Sequence, residues 1–208
     1  MKTIGLIIAL SVFSYYFSFA QDNREELSFG PKIGLNLANV YDSEGEEFDA
    51  EPKFGLVVGA FATIPISPLF GFQPEILFSQ KGFQASGSVF GSEYSYKRTL
   101  NYLDIPLLIS LKPSPKFTIL AGPQYSYLIS QKDVFTSSSL NIEQEEEFEN
   151  ENLRKNTFGI LCGFDVNANR FTVGARAGWD LYNNNGDGTS TNPRYKNVWY
   201  QATIGYRL

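Results

Sequence analysis

The stretch FGFQPEILFSQKGF, Phe70 to Phe83, decides how the whole chain is read. Phe70, Phe72, Pro74, Ile76 and Phe78 alternate with Gly71, Gln73, Glu75, Ser79 and Lys81. Successive side chains of a β-strand point to opposite faces, so a period of two predicts a strand with one apolar and one polar face. Pro74 cannot donate to a ladder, and a local bulge or irregularity is expected there.

The same alternation recurs in FGPKIGLNL (29–37), FGLVVGAFATI (54–64), YLDIPLLISL (102–111), FTILAGPQYSYLIS (117–130), TFGILCGFDV (157–166), FTVGARAGWDL (171–181) and VWYQATIGYRL (198–208). With the opening stretch this makes eight strands. Connections at Pro65–Pro68, Lys112–Lys116 and Asn167–Arg170 read as tight turns. Those at Tyr41–Pro52, Ala85–Tyr94, Lys132–Lys155 and Tyr182–Lys196 read as long loops. Short turns at one end and long loops at the other predict an all-β fold: an eight-stranded antiparallel up-and-down transmembrane β-barrel, with short periplasmic turns and long extracellular loops.

The alternative is a soluble barrel with its apolar face inside. An eight-stranded barrel has an interior just wide enough for side chains to fill, too small for this many Phe, Tyr, Leu and Ile. The opposite face is largely Gly, Ser, Thr, Gln and Asn. Glycine weakens a water-facing strand, but in a narrow lumen it makes room for a long neighbour. The apolar face is therefore assigned to lipid. Aromatics gather towards strand ends, Phe70, Phe72, Phe117, Phe171 and Tyr206 at one and Tyr125, Tyr127, Trp179 and Tyr200 at the other, as two girdles.

Residues 1–20 read as a cleaved signal peptide: Lys2, the apolar run IGLIIALSVFSYYF, then Ser18 and Ala20 at small-residue cleavage positions. The barrel domain is then 21–208. A net charge of −5 without a basic patch argues against nucleic-acid partners. The chain has no histidine, which removes the commonest general base and zinc ligand. Its one cysteine, Cys162, excludes an internal disulfide and falls on the lipid face. No P-loop, dinucleotide fingerprint or nucleophile elbow is present. DLYNNNGDGTSTN (180–192) misses the spacing and closing Glu of a calcium loop. No catalytic residue, metal ligand or cofactor is assigned.

PKIGLNLANV (31–40), FQPEILFSQKGF (72–83), LNYLDIPLLI (100–109), FTILAGPQYSYLIS (117–130) and QATIGYRL (201–208) resemble the small outer-membrane β-barrel (porin-family, PorT-like) proteins of Bacteroidetes-type bacteria. The resemblance implies an eight-stranded barrel in the outer membrane, with no activity attached. The PorT branch adds the expectation of a secretion accessory.

The polar face carries Lys32, Glu75, Lys81, Asp104, Asp165, Arg176, Asp180 and Arg207. Centring the hairpin on the loop after the opening stretch sets Glu75 opposite Asp104, with Arg176 as counter-ion and Lys32 and Arg207 nearer the periplasmic end. The expectation is an ion-pair network that fills the lumen; a gated narrow pore for ions or very small solutes is the alternative. Acid–base chemistry on a glycan by paired carboxylates needs an open cleft, which so small a barrel lacks. The acidic segments 41–52 and 132–155 read as solvated loops, open to a protein partner or divalent cations. Outer-membrane lipid is the remaining expected partner.

Overall fold

The computed structural model describes residues 24–42, 50–89, 92–137, 140–146, 153–185 and 195–208. The expected signal peptide, 1–20, and the middles of three expected loops (43–49, 147–152 and 186–194) lie outside the described residues.

The strands are β1 Ser28–Asp42, β2 Glu51–Pro65, β3 Phe70–Val89, β4 Ser92–Ser114, β5 Phe117–Ser137, β6 Leu140–Glu146, β7 Asn156–Ala168, β8 Phe171–Asp180 and β9 Tyr195–Tyr206. Eight of them close a ring of antiparallel neighbours, β1-β2-β3-β4-β5-β7-β8-β9, and β9 pairs back onto β1. Closure leaves the ring no free edge, the condition for a sheet to cross hydrocarbon.

β6 is a ninth strand outside the ring. It pairs with β5 alone, Gln131↔Glu146 to Ser137↔Leu140, inside the segment expected to be a loop. The expected loop Ala85–Tyr94 is likewise mostly ladder, since the β3–β4 pairing runs on from Ala85↔Tyr96 to Val89↔Ser92. The 23 residues of β4 extend roughly 75 Å at about 3.3 Å per residue, far beyond an apolar band ~25 Å tall. β3, β4, β5 and β6 thus project as a sheet from one end of the ring. The other end has the tight turns.

No bulge shifts the register at Pro74, where the expected irregularity is only a gap in the β2–β3 pairing. The β2–β3 register is the same on both sides of it, at Phe61↔Glu75 and Ile64↔Phe72. The register shift lies further on, between Pro52 and Val57 opposite Gly82, which has φ 129°. Glycine adopts that conformation without a Cβ penalty. The Gln80 side chain fills part of the gap by accepting from the Leu56 N–H at 3.2 Å.

The outward faces are apolar and open: Phe29, Ile33 and Leu35 on β1, Ile109 on β4, Val173 on β8 and Ile204 on β9 are all more than half exposed. Aromatic pairs band this surface, Phe171–Tyr206 and Phe117–Phe164 near the turn end and Tyr125–Phe158 higher up. The inward faces are packed. Besides the polar set they hold Phe61, Leu77, Tyr102, Leu108, Leu120, Leu128, Leu161 and Trp199, all buried.

Candidate functional site: the charged lumen

Glu75 on β3 and Arg176 on β8 stand four strands apart whichever way round the ring one counts. Inward-pointing side chains on such strands meet across the lumen. Arg176 Nη1 donates to Glu75 Oε2 at 2.7 Å and Nη2 to Oε1 at 2.9 Å. This fork is the strong planar geometry of an arginine–carboxylate pair. Lys32 Nζ on β1 and Gln73 Nε2 on β3 also donate to Glu75 Oε1, at 2.7 and 2.8 Å. Arg176 Nη2 lies 3.4 Å from Asp165 Oδ2 on β7. Two cations and two anions thus form a neutral chain across the barrel, each side chain at most 3% exposed.

Glycine makes room for these groups. Lys32 is flanked in the ladders by Gly59 and Gly205, and its Nζ lies 4.8 Å from the centre of the Phe61 ring. Arg176 pairs with Gly163, where a Cβ would fall 2.8 Å from Arg176 Cγ.

Glu75 does not face Asp104. The residue opposite Asp104 is Leu77, because the β3–β4 hairpin turns later than the midpoint of the expected loop. Asp104 belongs to a separate cluster. Lys81 Nζ contacts Asp104 at 3.1–3.2 Å and Ser126 Oγ at 3.5 Å. It also sits 3.8 Å from the Trp199 ring centre and 4.8 Å from that of Tyr102. An ammonium over an aromatic face gains electrostatically, more so when desolvated.

Asp180 stands apart from both. Its Oδ2 accepts from Asn197 Nδ2 at 2.6 Å, its Oδ1 is buried without a partner, and no cation among the described residues lies within ion-pair distance. Arg207 is outside the network too. It lies at the turn end, where its Nη2 donates to the Asn169 carbonyl at 2.6 Å.

A further pair escaped the sequence reading. Arg98 on β4 grips Asp133 on β5, with Nε to Oδ1 at 2.9 Å and Nη2 to Oδ2 at 2.5 Å, while Nη1 donates to the Tyr195 hydroxyl at 2.8 Å. Asp133 falls inside the expected loop Lys132–Lys155 and Arg98 precedes the expected strand 102–111, so only continuation of the strands brings them together. Trp199 and Tyr102 were missed because neither carries a formal charge and aromatic side chains were assigned to the outer face. Their position on the polar-face parity of their own strands, Trp199 with Gln201 and Tyr102 with Asp104, is the signal that would have found them.

Glu75 thus accepts four hydrogen bonds from three side chains and is 4% exposed.

No curated protein matches the chain. Among solved structures it is similar to Ail, the attachment invasion locus protein of Yersinia pestis, at 12% identity and TM-score 0.44, covering 87% of this chain and 98% of that one. Neisserial surface protein A matches at 12% and 0.44, covering 88% and 100%. OprG from Pseudomonas aeruginosa matches at 13% and 0.38, covering 88% and 94%. At such identities and TM-scores nothing about this chain's role is drawn from them. A family model described as outer membrane protein beta-barrel domain matches residues 19–184. That match takes in most of the closed ring with its apolar outer face, and the chain belongs to this family of bacterial outer-membrane β-barrels.

Proposed function

We propose that the protein is a non-enzymatic outer-membrane barrel with a plugged lumen and a structural or surface-interaction role. The observation that carries this reading is the Lys32–Glu75–Arg176–Asp165 chain, which joins opposite walls through side chains almost without solvent exposure. An ion entering at that level would have to break charge-assisted hydrogen bonds in a water-poor space, where they are strongest. Interaction is then left to the projecting β3–β6 sheet. It includes the described parts of the 132–155 segment, and the 41–52 segment borders it.

Refolded protein in planar bilayers tests the reading. The expected record has no conductance steps for the wild type. Steady unitary steps that change in size in Arg176→Ala would overturn the plug and favour the narrow channel.

A further inference from the structure

A cavity of about 30 Å3 opens at the tight-turn end, beneath the Glu75–Arg176 bridge, and Arg24, Lys112, Asp165, Asn167, Thr118 and Arg207 help to line it. Its charge is lopsided. Lys112 is 5% exposed, and its Nζ donates to a backbone carbonyl, that of Arg24, at 2.9 Å. No carboxylate among the described residues lies within ion-pair distance of it. Arg207 gives one Nη to the Asn169 carbonyl, and its Nε is buried without a partner. The one carboxylate on the cavity wall, Asp165, is already engaged by Arg176.

Buried charges in proteins are paired, because an isolated one costs several kcal/mol to desolvate. Here an ammonium and a guanidinium N–H without a hydrogen-bond partner border one void, and among the described residues no carboxylate lies within ion-pair distance of either, although Asp165 and Glu26 act on Arg207 from further off. Hydroxyls of Ser28 and Ser114 on the same wall are further donors. By this measure a single water needs about 10–15 Å3. The space has room for about two waters or one monatomic anion.

We propose that the turn-end cavity binds one small inorganic anion of halide size, held by Lys112 Nζ and Arg207 Nε. The anion offsets one of the positive charges that Arg24, Lys112 and Arg207 gather at the mouth. The site stands whether or not the lumen conducts.

The test is the 35Cl NMR line width of chloride over refolded full-length protein in detergent micelles, against protein-free micelles. The expected result is excess broadening that bromide displaces and that falls to the micelle value in Lys112→Met and in Arg207→Gln. Arg170→Gln, which removes an exposed cation at the same end, should leave it unchanged. Heat-modifiable gel mobility shows whether each variant has folded, and where Lys112→Met has not, Arg207→Gln carries the test. Absence of excess broadening, or its survival in the folded variants, overturns the site. Displacement by phosphate as readily as by bromide overturns the halide-sized class.

Discussion

Replacing Arg176 with methionine removes the fork to Glu75 and the contact to Asp165 while keeping most of the side-chain volume. Glu75 retains Lys32 and Gln73. Asp165 has Arg176 as its ion-pair partner among the described residues, so its charge is left buried and unpaired. Removing one member of a buried pair costs about 3–5 kcal/mol, chiefly through the charge left behind. That is roughly a hundred- to a few-thousand-fold in the unfolding equilibrium. Urea unfolding from lipid vesicles, followed by emission of the two tryptophans, Trp179 and Trp199, reads it directly. The mechanism makes a second demand. Neutralising the whole chain, Lys32→Met, Glu75→Gln, Asp165→Asn and Arg176→Met together, should recover most of the loss, since no charge is then stranded. A loss below about 1 kcal/mol for Arg176→Met, the worth of a solvent-exposed pair, would refute the sealed bridge. A combined variant as unstable as the single one would refute stranded charge as the cause.

Three further outcomes test the inside and outside assignments. A Cβ on Gly178 would run into the Trp199 ring and lie 2.9 Å from Leu161 Cδ1. Gly178→Ala should therefore cost about 1–3 kcal/mol by overpacking and shift the Trp199 emission, both read in the same urea titration. Lys81→Met strands Asp104; it should destabilise by about 3–5 kcal/mol, and adding Asp104→Asn should return most of that. Leu35 is 53% exposed on the outer face of β1, and Leu35→Arg in vesicles should cost about 2–4 kcal/mol if it meets hydrocarbon. A neutral effect there would reverse the lipid-facing assignment.

The faces were legible because parity survives error in register. A slip of two residues between strands moves every cross-strand partner and keeps every side chain on its face, whereas a slip of one flips them all. Centring the β3–β4 hairpin on its expected loop misplaced Asp104 by two residues, opposite Glu75 instead of Leu77. Both carboxylates still point inward. What sequence alone could not supply was the extent of the ladder. Ala85–Tyr94 reads as a long loop because its Ser and Gly lack an apolar face, yet outside hydrocarbon a hairpin needs only its backbone bonds. Those bonds carry β3 and β4 onward and bring Arg98 to Asp133. At Pro74 the error was local. A missing N–H forfeits one ladder bond without demanding an extra residue, and the shift occurs at Gly82, where the backbone accepts a positive φ.

The same parity explains how one ring serves two solvents. In a barrel of eight the lumen admits a single layer of side chains from each wall, so every large inward group needs a small neighbour. Arg176 has Gly163 beside it, Trp199 has Gly178, Phe61 has Gly205 and Asp165 has Gly174. These glycines weaken their strands locally and are tolerable only because closure supplies backbone bonds on both sides. The inward charges depend on that arrangement. Without Gly163 the Arg176 side chain would have to move from the line that reaches Glu75 on the opposite wall, and the bridge across the lumen would lose its geometry. The glycine pattern on the polar face is thus as much a part of the charged crossing as the ions it accommodates.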